Sequence, residues 1–209
     1  MILGIDFDNT LACYDGIFHA EAWRRGLVPT SVPTHKTGVR DYLRSIGREP
    51  DFTELQGHVY GPGITAAQPY AGALDCLRDM IRREAKVYII SHKTKHPIIG
   101  PRHDLHQAAR SWLKEKGFHG PGMLPPENVF LEESKEAKLA RIAALACTHF
   151  IDDLPELLEH QDFPKKTQGL LFAPQAEDGS DAPASYSPQF RSWRDLHNYL
   201  RAEACAIIP

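Results

Sequence analysis

The distribution of apolar and polar positions predicts a chain in which short strands alternate with helices. Five apolar runs have the length and composition of buried strands: residues 1–7, 85–91, 128–132, 148–153 and 169–173. Helix-like patterns occupy residues 71–84, 103–117, 134–146 and 190–204. In the first helix, apolar residues recur at 74, 77, 80 and 81, which is the spacing of one buried helix face. This alternation predicts an α/β fold with a doubly wound parallel sheet.

Two stretches interrupt this alternation. Residues 15–70 contain three helix-like pieces separated by Pro and Gly, and we interpret them as a small helical insert. The predicted domains are therefore an α/β core of residues 1–14 and 71–209 and a helical insert of residues 15–70. Residues 174–188 are polar and contain Pro and Gly, so we expect a surface loop there.

Polar side chains follow the predicted strands where each strand ends. They are Asp6 and Asp8 after the first strand, Ser91 after the second, Lys135 and Lys138 after the third, and Asp152 and Asp153 after the fourth. In a doubly wound sheet, ligands bind at the carboxyl ends of the strands, so these groups are expected to converge. Carboxylate oxygens suit Mg²⁺, and a hydroxyl and an ammonium suit phosphate oxygens. A cation would also explain why two carboxylates stand so close in Asp6-Phe7-Asp8.

Composition excludes several classes of protein. The 209 residues carry a net charge of −3 and 42% hydrophobic residues, which favours neither nucleic acid nor an anionic membrane as a partner. No apolar run approaches the roughly 20 residues that span a bilayer. Cys13, Cys76, Cys147 and Cys205 form no CxxC pair, and we expect reduced thiols in a cytoplasmic protein. The eleven histidines show no zinc-ligand spacing.

These motifs resemble those of the haloacid-dehalogenase-like superfamily of phosphohydrolases. The resemblance covers residues 1–14 and 71–173. It comprises DFDNT at 6–10, a strand ending in Ser91, a lysine near a helix start and FIDD at 150–153. For the lysine we favour Lys138, one turn into a helix capped by Ser134, and Lys135 is the alternative. The resemblance implies a Rossmann-type three-layer core with residues 15–70 as a cap over the site.

The resemblance also implies a role for each residue. Asp6 would be the nucleophile that becomes an aspartyl-phosphate, and Asp8 the general acid and base. Asp6, the backbone carbonyl of Asp8, and Asp152 and Asp153, directly or through water, would hold Mg²⁺.

Ser91 and the lysine would bind the transferring phosphoryl group. Thr10, His92 and Lys93 are further candidates for substrate contacts. A polar loop would explain His92 and Lys93 equally well.

The predicted function is therefore a Mg²⁺-dependent phosphatase that acts on a small phosphorylated metabolite. A sugar phosphomutase on the same core is an alternative. A dehalogenase is disfavoured because such relatives lack the second Asp of the first motif. Outside the enzymes, the alternatives are a phosphate-binding protein on an inactive core and a receiver-like phosphoacceptor. The receiver is disfavoured because the second acidic pair here follows the lysine.

Overall fold

The computed structural model describes residues 1–174 and 188–206. The strands are β1 Ile2–Ile5, β2 Ala12–Cys13, β3 Gln68–Pro69, β4 Lys86–His92, β5 Val129–Glu132, β6 His149–Asp152, β7 Gln168–Phe172 and β8 Gln189–Phe190. The α-helices are α1 Ile17–Arg24, α2 Lys36–Ser45, α3 Glu49–Tyr60, α4 Ala73–Arg82, α5 Leu105–Glu115, α6 Lys135–Ala144, α7 Pro155–Leu158 and α8 Trp193–Ala206. Two short 3₁₀ helices cover Pro62–Ala66 and Pro126–Asn128.

Six strands form one parallel sheet in the order β5-β4-β1-β6-β7-β8. β1 lies inside the sheet, where Ile5 is in register with Ile89 of β4 and with Ile151 of β6. The sequence ILGI suits that position because a strand covered on both faces needs an almost continuous apolar run. The predicted α/β fold with a doubly wound parallel sheet is confirmed.

The sheet has one strand more than the five that the sequence predicts. β8 is only two residues long, Gln189–Phe190, and it pairs in parallel with the end of β7. A strand of this length has no periodicity of its own, so only its pairing with β7 identifies it.

The centre of the sheet is tightly packed. A Cβ atom placed on Gly4 would lie 2.5 Å from Cδ2 of Phe150 on β6 and 3.1 Å from Sγ of Cys147. Gly4 therefore allows the Phe150 ring to lie directly against β1. Phe150 belongs in turn to a buried apolar cluster with Ile90, Leu139 and Leu171.

The chain divides into two compact units. The first, here called the core unit, contains Met1–Leu11, Pro69–His92 and Gly117–Pro209. The second, here called the helical unit, contains Ala12–Gln68 and Lys93–Lys116. The helical unit thus contains residues 15–68 of the predicted insert, together with residues 12–14 and α5, which the sequence analysis assigned to the core. The loop predicted for residues 174–188 lies, apart from its two end residues, outside the described residues.

The helical unit has its own buried interior. Tyr60 of α3 lies in edge-to-face contact with Tyr14 and Phe18, with ring centroids 5.1 and 5.6 Å away. α5 joins this unit through Trp112, whose indole Nε1 donates a hydrogen bond of 2.9 Å to the carbonyl of Ala67. Among residues 1–174 and 188–206, no helix has the length and apolar character that crossing a bilayer requires.

Candidate active site

The loop that follows β1 carries the first group of site residues. The backbone N–H of Asp6 donates to the carbonyl of Ile151 at 2.9 Å, so the pairing of β1 with β6 extends as far as Asp6. Asn9 has a left-handed φ of 57°, and the N–H of Leu11 donates to the carbonyl of Phe7 at 3.0 Å. The chain therefore turns sharply after β1, and it buries Asp6 and Thr10 within the core unit.

Lys138 lies between two of the predicted carboxylates. Its Nζ is 2.6 Å from Oδ1 of Asp6 and 2.6 Å from Oδ2 of Asp152. Ser134 caps α6 by accepting a hydrogen bond from the N–H of Ala137, which places Lys138 one turn into the helix. Lys135, the alternative, is the half-buried first residue of α6. Of the two candidate lysines, Lys138 is the one that bridges the carboxylates.

Burial and charge act against each other at this ion-pair cluster. Burial disfavours the ammonium of Lys138, but Asp152 and Asp6 outweigh that effect and raise its pKa. Burial raises the pKa of Asp152 to about 6, although Lys138 acts in the opposite direction. One ammonium therefore does not fully compensate the buried carboxylates, and a further positive charge would stabilise the ionised form of Asp152.

A third carboxylate completes an acidic cluster at the end of β6. Carboxylate oxygens of Asp6, Asp152 and Asp153 all lie within 4.8 Å of one another. Oδ1 of Asp152 accepts a hydrogen bond of 2.9 Å from the N–H of Leu154, which holds that carboxylate in place. Three carboxylates with one ammonium leave an excess of negative charge, and the donors are all oxygens. This set fits a hard divalent cation such as Mg²⁺.

The other predicted site residues occupy different environments. Ser91 is buried near the carboxyl end of β4, two residues beyond Ile89, which pairs with β1. Asp8 is half-buried in the loop after β1. His92 ends β4 and is exposed. Lys93 belongs to the helical unit, where it is buried with its Nζ 4.4 Å from the ring centroid of Tyr60.

Two contacts in the site were not predicted from the sequence. The hydroxyl of Thr10 donates a long hydrogen bond of 3.5 Å to Oδ1 of Asp153, so Thr10 contacts the acidic cluster. Nε1 of Trp193, in α8, donates to the carbonyl of Thr10 at 2.9 Å. Residues 10 and 193 are far apart in the sequence, and no spacing rule relates them. The sequence carries one general indication of this contact, which is that a buried indole N–H usually finds a hydrogen-bond acceptor.

Fold and site together define an α/β protein with a carboxylate–lysine centre at the carboxyl edge of a parallel sheet. No protein-family model matches the chain, and no curated protein matches it by sequence. Solved structures do match it in fold. A HAD family hydrolase from Deinococcus radiodurans, with bound phosphate and sodium, is 18% identical with a TM-score of 0.59, over 100% of this chain and 97% of that chain.

Two further structures are similar to this chain. A HAD-hydrolase from Bacillus subtilis bound to magnesium is 14% identical with a TM-score of 0.53, over 95% of this chain and 97% of that chain. A dehalogenase is 14% identical with a TM-score of 0.54, over 95% of this chain and 96% of that chain. The chain therefore shares its fold with these HAD hydrolase structures, as the resemblance of its four motifs predicted.

Proposed function

We propose that this protein is a Mg²⁺-dependent phosphatase that hydrolyses a small phosphorylated metabolite. The observation that carries the proposal is the position of Lys138, 2.6 Å from both Asp6 and Asp152, beside a third carboxylate from Asp153. Phosphoryl transfer depends on positioning and on neutralising the charge of the transferring group. Phosphate bound to the Deinococcus radiodurans structure and magnesium bound to the Bacillus subtilis structure support this interpretation.

In the proposed reaction, an oxygen of Asp6 attacks phosphorus and the bond from phosphorus to the ester oxygen breaks. The carboxyl group of Asp8 gives its proton to the leaving oxygen, so the alcohol departs neutral. Asp8, now ionised, then takes a proton from water, which attacks the aspartyl-phosphate and releases inorganic phosphate. Asp6 is thereby regenerated.

The remaining polar groups have supporting roles. Ser91 and Lys138 bind phosphoryl oxygens, and Lys138 also orients the carboxylate of Asp6. Asp6, Asp152, Asp153 and the carbonyl of Asp8 would hold Mg²⁺, which supplies positive charge to the phosphoryl oxygens when it is bound. Thr10, His92 and Lys93 remain candidates for substrate binding.

Asp8 favours phosphate-ester hydrolysis over dehalogenation. A halide leaves as a stable anion and needs no proton, whereas an alkoxide leaving group does. The role of Asp8 as a general acid, two residues after the nucleophile, is therefore needed for phosphate-ester hydrolysis and not for halide departure. A phosphomutase would use the same groups and return the phosphoryl group to a second oxygen, so phosphate release across a panel of metabolites separates the two.

Substitution of the two carboxyl groups tests the mechanism. Asp6→Asn removes the nucleophile, and turnover of p-nitrophenyl phosphate with Mg²⁺ should fall by orders of magnitude with no phosphorylated protein formed. Asp8→Asn should still release nitrophenol in one burst, because nitrophenolate needs no proton, and then stall. Mass spectrometry of acid-quenched protein locates the adduct. A phosphoryl group on Asp8, or undiminished turnover by Asp6→Asn, would contradict the proposal.

A further inference from the structure

The loop between β1 and β2 is held in place by three hydrogen-bond anchors, two with backbone donors and one with a side-chain donor. The N–H of Leu11 donates to the carbonyl of Phe7 at 3.0 Å, and the N–H of Tyr70 donates to the carbonyl of Leu11 at 3.0 Å. The third anchor is a side chain, since Nε1 of Trp193 donates to the carbonyl of Thr10 at 2.9 Å. These bonds determine the path of the chain directly after Asp6.

Trp193 is itself rigidly held. It is the first residue of α8, and only 1% of its surface is exposed. Its ring lies 5.8 Å from that of Phe172 on β7, and Phe172 lies 4.9 Å from Tyr70 in a T-shaped contact. Tyr70 and Trp193, which both anchor the loop, are thus packed against the same phenylalanine. The aromatic packing therefore fixes both donors.

Thr10 connects this anchor to the acidic cluster. Its carbonyl accepts the indole N–H of Trp193, and its hydroxyl faces Oδ1 of Asp153 at 3.5 Å. Thr10 is fully buried, so neither of these groups has access to solvent. Thr10 thus links the indole of Trp193 to one of the three clustered carboxylates.

We infer that Trp193 is a positioning residue that acts through Thr10 and Asp153 to set the affinity of the acidic cluster for a divalent cation. Residues that hydrogen-bond to metal ligands without touching the metal orient those ligands, and their loss commonly lowers metal affinity about 10–100-fold. The catalytic consequence rests on the proposed phosphatase function. The consequence for metal binding does not, because it depends only on the carboxylates.

The chain offers a matched pair of variants. Trp193→Phe keeps an aromatic ring but removes the N–H that Thr10 accepts. Trp112→Phe makes the same change at another tryptophan that is 1% exposed and whose Nε1 also donates to a backbone carbonyl at 2.9 Å. Trp112 belongs to the helical unit and its partner is Ala67, so it does not hold the loop after β1.

Mg²⁺ affinity, measured by calorimetry on the full chain, is the primary readout, and thermal unfolding without metal is the second. Both variants should unfold at lower temperature than the parent. Only Trp193→Phe should bind Mg²⁺ more weakly, by about tenfold. In turnover assays it should need more Mg²⁺ for half-maximal rate, and saturating Mg²⁺ should restore most of kcat.

Thr10→Val provides an independent test, because it removes the hydroxyl that faces Asp153 and keeps the shape of the side chain. It should weaken Mg²⁺ binding as Trp193→Phe does. The double variant Thr10→Val/Trp193→Phe should bind Mg²⁺ no more weakly than whichever single variant binds it more weakly, because both changes interrupt the same path. Three results would overturn the inference. They are parental Mg²⁺ affinity in Trp193→Phe or Thr10→Val, equal losses of Mg²⁺ affinity in Trp193→Phe and Trp112→Phe, and no Mg²⁺ binding by the parent. Weakened Mg²⁺ binding in a protein without phosphatase activity would support the inference and contradict only the proposed function.

Discussion

Lys138 is the residue on which the charge balance of the site depends. Its side chain is 2% exposed, and its ammonium contacts one oxygen each of Asp6 and Asp152, both buried. Removing one partner of a buried ion pair is far more costly than removing an exposed charge, because the remaining charge keeps its desolvation penalty. Here the loss of one ammonium would leave two buried carboxylates without that partner.

We therefore expect Lys138→Met to lower the free energy of unfolding by about 3–5 kcal/mol without metal, measured by urea denaturation at pH 7. Added Mg²⁺ should recover part of this loss, because it supplies positive charge to the same carboxylates. Lys135→Met is the matched control, one turn earlier on α6 and half-buried, and it should change stability by less than about 0.5 kcal/mol. Equal effects of the two substitutions would show that the cluster does not depend on Lys138.

Local chemistry made much of the site predictable at the scale of single residues. Carboxylates directly after an apolar strand stand out because stability alone does not call for them, and Asp6 and Asp152 are both buried at strand ends. The resemblance called for a lysine near a helix start, and the cap at Ser134 then favoured Lys138 over Lys135. The contact of Trp193 with Thr10 was not predictable, since it depends on how α8 packs within the core unit.

At the scale of elements, a single carboxylate joins α4 to α8. Asp79 of α4 is buried, and its carboxylate accepts from His197 of α8 at 2.9 Å and from Arg83 at 2.9 Å. Arg82 also donates to it, and Arg201 of α8 lies 3.7 Å away. Burial acts to raise the pKa of Asp79, but the hydrogen bonds from His197, Arg83 and Arg82 outweigh it and hold that pKa well below its usual range.

Asp79→Asn should lower the free energy of unfolding by about 2 kcal/mol at pH 7, because the arginines then donate to a neutral amide instead of a carboxylate. The pKa is lower in the folded state, so the stabilisation by Asp79 is complete above about pH 4 and is lost as the pH falls further. The difference between parent and variant in urea denaturation should therefore shrink below pH 4.

Asp75→Asn is the control for this prediction, because Asp75 lies on the same helix and pairs with Arg78 at 3.0 Å but is largely exposed. It should cost less than about 0.5 kcal/mol. A deficit for Asp79→Asn that stays constant from pH 7 to pH 3 would mean that ionisation of Asp79 contributes nothing to stability.

The elements differ in how clearly the sequence marks them. β1, β4, β6 and β7 are apolar runs whose burial requires that composition, and all four were predicted. β8 was not, because a two-residue strand is specified by its neighbour in the sheet rather than by its own residues. The assignment of α5 to the helical unit depends on tertiary contacts such as that of Trp112 with Ala67, which periodicity does not encode.

At the scale of the whole molecule, a cation held by the acidic cluster should stabilise the fold. A ligand that binds only the folded state adds about 2.7 kcal/mol at 100 times its Kd. For a chain of this size we expect Mg²⁺ to raise the melting temperature by roughly 5–10 °C, followed by scanning calorimetry and reversed by a chelator. Asp153→Asn should diminish the rise, since it removes one of the three clustered carboxylates. A melting temperature independent of Mg²⁺ would contradict a resident cation.

The central place of β1 has a consequence for synthesis on the ribosome. β1 is made before its neighbours in the sheet, because β4 and β6 begin only at Lys86 and His149. At about 5–20 residues per second, roughly 7–30 seconds pass between the synthesis of β1 and that of β6, which pairs with its second edge. During that time an apolar strand with an unpaired edge is available to other nascent chains. Slow or paused translation between β1 and β6 would lengthen this exposure, so the yield of folded protein should respond to chaperone supply and to codon usage in that interval.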